Sequence, residues 1–296
     1  MNDQKFKYCS ECGAKVDISA NFCGHCGSEK FGSCRINGTK ICLRCGGKNK
    51  ASSKFCTDCR GELFVDKLSD YYNGVGEFTL LDDGTYSYKR QVFMTAGIKD
   101  IRMPGMHKGK LVSEIEDFSH LPNLKKVVVP DSVIHIADSA FEDCKSLTDI
   151  ALPDSIKTIG ANAFAGCRSL TDITLPLGLQ RVRNSTFMTC VSLKSITIPR
   201  SVEYIEDFVF VGCKSLVSIV LPDNLKYMGY SNFDYCESLS EVYYMGTEKD
   251  WSNIKISNHN DALFNATRYY YSTTKPTANG NYWHYDEDGV TPVKWA

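Results

Sequence analysis

Residues 144–166 read CKSLTDIALPDSIKTIGANAFAG, and residues 167–189 read CRSLTDITLPLGLQRVRNSTFMT, the same pattern one unit later. Five cysteines follow one another in this pattern at intervals of 23 residues: Cys144, Cys167, Cys190, Cys213 and Cys236. One unit earlier, residues 121–143 fit the pattern with Leu121 in the cysteine position. A fixed period of this length is typical of a solenoid, in which each unit buries its apolar face against the next. The sequence therefore predicts a repeat solenoid over residues 121–243.

Each unit divides into three short segments. Ser-Leu-x-x-Ile-x-Leu alternates apolar and polar residues, which predicts a strand with one face buried. A proline follows, where the missing amide donor does least harm to strand pairing. Two apolar positions three residues apart, such as Ile156 and Ile159, line a second side, and a phenylalanine such as Phe164 fills the arc before the next cysteine.

The five regularly spaced thiols have two interpretations. Stacked parallel strands lie ~4.8 Å apart, so one cysteine per coil could form a ladder of small buried side chains. The same spacing is within the Cα range of ~4.4–6.8 Å for disulfides. An odd number of cysteines, and Leu121 in place of the first one, favour packing over disulfides.

The outward strand positions form two rows that predict a partner-binding face. The first row lies five residues after the cysteine position and comprises Lys126, Asp149, Asp172, Ser195, Ser218 and Glu241. The second row lies seven residues after it and comprises Val128, Ala151, Thr174, Thr197, Val220 and Tyr243. Tyr243 is predicted to be the best anchor because aromatic residues dominate binding hot spots. The alternative is an ordinary exposed sheet, since most of these residues are small.

The N-terminal segment contains a second population of cysteines, arranged as CxxC pairs. Two pairs separated by ten residues make one quartet, and the arrangement then repeats. The predicted ligands are Cys9, Cys12, Cys23 and Cys26 in the first quartet, and Cys42, Cys45, Cys56 and Cys59 in the second. Two such knuckles supply the four thiolates of a closed tetrahedral zinc site. The sequence therefore predicts two structural zinc ions, which fold a segment with few large apolar residues.

Other interpretations of these pairs are weaker. A redox CxxC belongs on a βαβ scaffold, which the segment lacks, and iron remains a minor alternative to zinc. Cys34 has no CxxC partner, and His25 is not expected to be a ligand. Residues 1–65 hold eleven Lys and Arg against six Asp and Glu, a balance of +5. Two filled sites at −2 each would leave +1, so the charge disfavours nucleic-acid binding by counterion release.

Both regions resemble known bacterial families. The unit CxSLxxIxLPxxLxxIGxxAF, over about residues 97–245, resembles the BspA-like leucine-rich repeat, and the CxxC quartets over residues 8–62 resemble bacterial zinc ribbons. The resemblance implies a mostly β fold, in which a double zinc ribbon precedes a right-handed solenoid with a parallel sheet and β-rich caps. It also implies roles in adhesion and protein binding, because members of the repeat family are often secreted or at the cell surface.

The predicted domains follow from these patterns: residues 1–62 double ribbon, 63–76 linker, 77–120 N-terminal cap, 121–243 solenoid and 244–296 C-terminal cap. Asp83-Gly84 predicts a hairpin turn in the first cap. A degenerate coil with Pro104 and Phe118 follows, with a three-residue insertion. Thr247 and Asp250 predict a capped helix carrying Trp251. The aromatic strands after it are expected to cover the last coil; a carbohydrate- or peptide-binding platform is the alternative.

No nucleophile, phosphate or catalytic metal motif includes any of the six histidines. The net charge is −1, and no stretch has the ~18 uncharged apolar residues of a membrane span. The N-terminus lacks the apolar core of a secretory signal. We therefore expect a soluble cytoplasmic protein that acts as a non-enzymatic protein-interaction scaffold for an unidentified protein partner. A nucleic-acid-associated ribbon protein and a cell-surface adhesin are the alternatives.

Overall fold

The structure is a computed structural model that describes residues 76–90, 98–108, 110–277 and 280–295 in full. Between residues 6 and 65 it describes the backbone of six short strands, which form two three-stranded antiparallel sheets. The strands of the first sheet are β1 (Phe6–Cys9), β2 (Lys15–Asp17) and β3 (Phe31–Gly32). Those of the second are β4 (Thr39–Cys42), β5 (Lys48–Lys50) and β6 (Phe64–Val65).

The N-terminal cap is a hairpin joined to an irregular first coil. Its strands are β7 (Gly76–Leu80), β8 (Tyr86–Arg90), β9 (Asp100–Arg102), β10 (Met106–His107) and β11 (Lys110–Ile115). The predicted hairpin turn is confirmed, since β7 and β8 are antiparallel and Gly84 has a φ of 83°. The predicted insertion is also confirmed. Asp100 pairs with Lys126, so this coil is longer than the next one, in which Lys126 pairs with Asp149, and the extra residues lie where β10 folds back on β11.

The solenoid stacks parallel strands on two of its sides. The front strands are β12 (Lys126–Val128), β14 (Asp149–Ala151), β17 (Ser195–Thr197), β19 (Ser218–Leu221) and β21 (Glu241–Tyr244). The side strands are β13 (His135–Ile136), β15 (Thr158–Ile159), β16 (Arg181–Val182), β18 (Tyr204–Ile205), β20 (Tyr227–Met228) and β22 (Lys255–Ile256). Paired residues within the repeats occupy equivalent positions of successive units, as do Lys126 and Asp149. The predicted solenoid of mostly β structure is confirmed.

The third side of each coil is a tight arc of turns that contains the phenylalanine and the cysteine. The phenylalanines stack on one another along the whole solenoid and are at most 1% exposed: Phe118, Phe141, Phe164, Phe187, Phe210 and Phe233. Successive ring centroids in the middle of this ladder lie 5.6 to 5.8 Å apart, and the rings are nearly parallel. Such pairs contribute about 0.5–1.5 kcal/mol beyond the burial of their area. The core therefore runs continuously from coil to coil.

The five repeat cysteines are free and buried, which confirms the packing interpretation. Each thiol donates to the carbonyl of the phenylalanine in the arc of the preceding coil; Cys190 Sγ, for example, lies 3.2 Å from Phe164 O. Burial raises the pKa of the Cys144 and Cys236 thiols to about 12, and it raises the pKa of the three between them well above the ordinary value. These thiols are neutral hydrogen-bond donors at physiological pH.

The C-terminal region completes the last coil and extends the front sheet. Its elements are α1 (Glu248–Trp251), α2 (Asp261–Asn265), β23 (Thr267–Tyr271), β24 (Tyr282–Tyr285) and β25 (Pro292–Lys294). Thr247 and Asp250 form the predicted capping box at the start of α1. β23 pairs in parallel with β21, β24 follows it, and antiparallel β25 ends the sheet.

Candidate interaction face and metal centres

The outward rows of the front sheet are open at the N-terminal end and covered at the C-terminal end. Lys126, Asp149, Asp172, Thr174 and Ser195 are exposed. Thr197, Ser218 and Glu241 are partly buried, and Val220 and Tyr243 are only 4% exposed. The open part of the face therefore spans the coils from residue 126 to about residue 197, and its floor there consists of short side chains.

An ion pair lies towards each end of this face. Lys126 pairs with Asp149 across adjacent coils, with about half of each side chain exposed. Glu241 accepts from Lys294 of β25 and from the Tyr243 hydroxyl. Burial of Glu241 opposes its ionisation, but these two hydrogen bonds outweigh burial and hold the pKa of the carboxyl below its ordinary value. The same pair raises the pKa of Lys294, mainly through its hydrogen bond to Glu241. The ion pair between Lys294 and Glu241 thus links the C-terminal strand β25 to β21.

The prediction that Tyr243 is an exposed anchor is wrong. Its ring stacks on Tyr269 at 5.3 Å and meets the edge of Trp283 at 5.5 Å. Trp283 is fully buried and donates from Nε1 to Tyr244 O at 2.9 Å. The reason is that β23 and β24 place their aromatic side chains over the outward face of the last coils. Tyr243 points outward from its own strand but is buried by these side chains.

This aromatic cluster is only partly predictable from the sequence. The sequence predicts that the tail covers the apolar side of the last coil, and Leu263 and Tyr270 do pack there. A separate cluster of Val220, Tyr243, Met245 and Trp283, with Tyr269, Tyr271 and Tyr285 against it, lies on the opposite face of the front sheet. The signal for it is the alternation of aromatic residues at 269 and 271 and at 283 and 285, which puts them on one face of their strands.

The strand pairing of the first N-terminal sheet can be compared with the first predicted quartet. Tyr8 pairs with Lys15, Cys9 ends β1, and Cys12 lies in the sequence between β1 and β2. Cys9 also pairs with Phe31, so β3 begins beside the end of β1. In the sequence, Cys23 and Cys26 lie between β2 and β3.

The second sheet repeats the pairing of the first, one ribbon later. Ile41 pairs with Lys48, and Cys42 pairs with Phe64, which correspond one for one to the pairs of the first sheet. Each cysteine of the second quartet follows its counterpart in the first by the same interval as Cys42 follows Cys9. Of the eight, Cys9 and Cys42 lie in described strands; Cys12, Cys23, Cys26, Cys45, Cys56 and Cys59 lie outside the described residues, as do Cys34 and His25.

Comparison with known families agrees with the geometry. Residues 114–246 match the BspA type leucine rich repeat region in six copies. We call this part of the chain, residues 114–246, the BspA-type region. Residues 5–29 match a zinc-ribbon domain, which covers β1 and β2 of the first sheet. The resemblance of the repeats and the ribbon resemblance of the first quartet are therefore confirmed, and the ribbon resemblance of the second quartet stays a prediction.

Solved structures similar to the chain are also leucine-rich repeat proteins. One from T. pallidum is 29% identical, with 62% of this chain and 79% of that chain covered and a TM-score of 0.43. A leucine rich cell surface protein from Faecalibacterium prausnitzii is 25% identical, with 61% and 40% covered and a TM-score of 0.43. No curated protein matches the sequence.

Among the described side chains, no group of three or more His, Cys, Asp or Glu residues is arranged to hold a metal ion. In the same part of the chain, no helix is long and apolar enough to cross a membrane.

Proposed function

We propose that the protein is a non-enzymatic interaction scaffold, whose BspA-type region binds a protein partner on the open part of the front sheet. The observation that carries the proposal is the contrast along one surface. From Lys126 to Ser195 most residues of the outward rows are exposed, and apart from Lys126 their side chains are short or acidic, whereas beyond Ser218 the tail covers the rows. A partner segment lying across the open coils would meet a floor of small residues and, at its end, the edge of the aromatic cluster.

Two exposed carboxylates on this face allow a prediction about the charge of the partner. Asp149 and Asp172 occupy adjacent coils, and the Asp172 carboxylate accepts from the neighbouring Thr171 hydroxyl at 2.9 Å. Charges at an interface contribute mainly to specificity and to the rate of association. The partner that best fits is therefore one with a basic segment.

The experiment compares two double variants with the same change in net charge. Asp149→Arg with Asp172→Arg alters the open face, where Asp149 is half of an ion pair with Lys126. Asp131→Arg with Glu237→Arg alters exposed residues elsewhere on the coils, where Glu237 is half of an ion pair with Lys214 at 3.0 Å. Partners captured by the unmodified full chain should be lost from the first variant and kept by the second. Equal recovery by both variants would contradict the proposal.

We also propose that the N-terminal segment holds two structural zinc ions, one in each quartet. The match of residues 5–29 to a zinc ribbon and the identical pairing register of the second sheet support this. Zinc would supply the cohesion of a segment that has few large apolar residues. The thiolates would hold the metal, and no catalytic role follows, because a four-thiolate shell leaves no open position.

Elemental analysis of the purified full chain should find about two zinc ions per chain, as two closed four-thiolate shells require. Cys9→Ser with Cys12→Ser should lose one ion, and Cys42→Ser with Cys45→Ser should lose the other. Cys34→Ser is the matched control and should keep both. A single ion that disappears with the first variant alone would show that the second quartet is empty.

The cytoplasmic location predicted from the sequence remains a proposal. Free thiols in the repeats suit a reducing compartment, and thiolate ligands in the proposed zinc sites would suit it as well. Cell fractionation checks it: recovery of the protein in the surface or secreted fraction would favour the adhesin alternative.

A further inference from the structure

One junction of the solenoid is built differently from its neighbours. It lies between the coil of residues 144–166 and the coil of residues 167–189, and we call it the seam. On the front, β14 pairs with β12, but residues 172–174 form no strand, although all of them are described. On the side, β15 ends one sheet and β16 begins another. Both sheets are therefore interrupted between the same two coils.

The side sheet is paired at the junctions on both sides of the seam. Below the seam, β13 pairs with β15, and on the front β12 pairs with β14. Above the seam, β16 pairs with β18, whereas the front sheet resumes only at β17, and there the Lys194 amide donates to Thr171 O at 3.0 Å. The seam is thus the junction at which both sheets lack strand pairing. The local sequence does not explain the difference, because SLTDITLP at residues 169–176 matches SLTDIALP one unit earlier almost letter for letter.

A side-chain bond that crosses other junctions is missing at the seam. A serine after the proline reaches back to the preceding coil: Ser132 Oγ to Val112 O at 2.7 Å, Ser155 Oγ to Val133 O at 2.8 Å, and Ser201 Oγ to Leu179 O at 2.6 Å. The seam has Gly178 in this position, which cannot make the bond. Its neighbour Leu177 is 69% exposed, where the other units have a charged residue.

The arc, by contrast, crosses the seam without interruption. The amides of Asn162, Phe164 and Gly166 donate to carbonyls of the next coil at 2.8 to 3.0 Å. Phe164 and Phe187 stack at 5.7 Å. Outside the arc, the seam is crossed by Ser169 Oγ, which donates to Lys145 O at 2.7 Å, and by Asp154, which accepts from the Leu177 amide at 3.2 Å. Both of these bonds involve exposed residues, where water competes for them.

We propose that the seam is a hinge, at which the solenoid opens on its front and side sheets while the arc stays closed. Hinges form where few hydrogen bonds cross between two well-packed parts of a protein. Across the seam, the backbone hydrogen bonds are concentrated in the arc. Opening would change the separation of Asp149 and Asp172, which lie on opposite sides of the seam on the open face. The hinge would be a property of the solenoid itself, whether or not the open face binds a partner.

Residue-resolved hydrogen exchange on the full chain tests the hinge. Amides of residues 172–174 and 181–183 that point to the seam should exchange at least about 10-fold faster than the corresponding amides of residues 218–220 and 204–206, since local opening exposes them. The amides of Asn162, Phe164 and Gly166 should stay protected, which separates a hinge from unfolding of the whole coil. Equal protection of the two sets would overturn the proposal, and so would loss of protection in the arc.

Gly178→Ser is the variant that should close the hinge. A Cβ at Gly178 would meet Lys157 Nζ at 2.8 Å, the far end of a flexible side chain that can move away. The new hydroxyl would occupy the position that the hydroxyls of Ser155 and Ser201 occupy in their own units. Amide hydrogen exchange at residues 172–174 and 181–183 should then slow by several fold. Ser201→Gly is the matched control: it removes the same bond from a junction where β16 and β18 remain paired, so the amides of residues 204–206 should stay protected. Unchanged seam exchange in folded Gly178→Ser would contradict the role given to the missing serine.

Discussion

The N-terminal ribbon segment and the BspA-type region are both tandem repeats, yet they are stabilised in different ways. The two ribbons share one pairing register and have short strands, so that metal is their proposed source of cohesion. The coils stack one unit on the next and bury a continuous core, with a phenylalanine in each unit of the ladder and a thiol in the five units that begin with cysteine. Cysteine recurs in both repeats. The spacing differs between them: closely spaced pairs suit the sharing of an ion, as proposed for the ribbons, whereas single thiols one unit apart lie buried in successive coils.

Metal removal should produce the largest difference in stability between the two regions. A chelator should abolish exchange protection of β1 to β6, because structural zinc provides about 10 kcal/mol or more of apparent binding free energy in ribbon-like sites. The BspA-type region should keep its protection and its unfolding midpoint, since its core is apolar side chains and neutral thiols. Hydrogen exchange on the full chain, before and after chelation, measures both at once. Unchanged protection of β1 to β6 would show that the ribbons fold without metal.

Breaking the aromatic ladder should affect only the coils. Phe187→Ala removes a ring that is fully buried between two others, at an expected cost of about 3–5 kcal/mol in the free energy of unfolding. Phe264→Ala is the control, since that ring is 50% exposed and its loss should change stability by about 0.5 kcal/mol or less. Denaturant unfolding followed by circular dichroism compares them. Similar costs for both variants would mean that the ladder does not stabilise the solenoid.

The buried thiols predict a loss of stability in alkali. Their pKa is raised in the folded state by burial, so above the ordinary value of 9.0 they ionise only in the unfolded chain. Their contribution to stability is therefore constant below about pH 9 and falls as the pH rises, by about 1.4 kcal/mol per pH unit for each thiol. Cys190→Ala and Cys190→Ser should each reduce this slope by one thiol. Serine should cost less at pH 7, because its hydroxyl can still donate to Phe164 O. A slope that neither variant changes would be evidence against buried neutral thiols.

The smallest expected effect concerns the N-terminal cap. His107 stacks on Phe78 at 3.8 Å, and burial, with a contribution from Lys108, lowers its pKa below the ordinary value of 6.5. The unfolded chain therefore binds the proton first, so stability should fall slightly as the pH drops below 6.5. His107→Phe keeps an aromatic ring and should remove this dependence. Thermal unfolding at about pH 7.5 and about pH 5, on either side of the ordinary histidine pKa, checks it; an equal decrease in both proteins would assign the effect to another group.

The repeat pattern was enough to predict the solenoid and the insertion in the first coil, and the Asp83-Gly84 turn signal was enough to predict the hairpin, because each depends on local sequence. Contacts between distant segments could not be predicted in the same way. Tyr243 occupies an outward position of its strand and is nevertheless buried, since β24 returns from much further along the chain to cover it. The seam could not be predicted for the same reason. Residues 172–174 have a sequence typical of a strand, but whether they form one also depends on pairing with the preceding coil, residues 144–166. The zinc ligands and the partner face remain predictions.

The register at the two ends has a consequence for the length of the molecule. Asp100 pairs with Lys126, and Glu241 pairs with Thr267, so the regular spacing stops on each side at a coil that is slightly longer than a repeat unit. A hairpin closes one end and an antiparallel strand closes the other, which leaves no matching coil for further stacking. Gain or loss of whole repeat units between these ends would change the reach of the protein in steps of ~4.8 Å. The fold can thus act as a spacer whose span is set by the number of units, while both terminal structures stay the same.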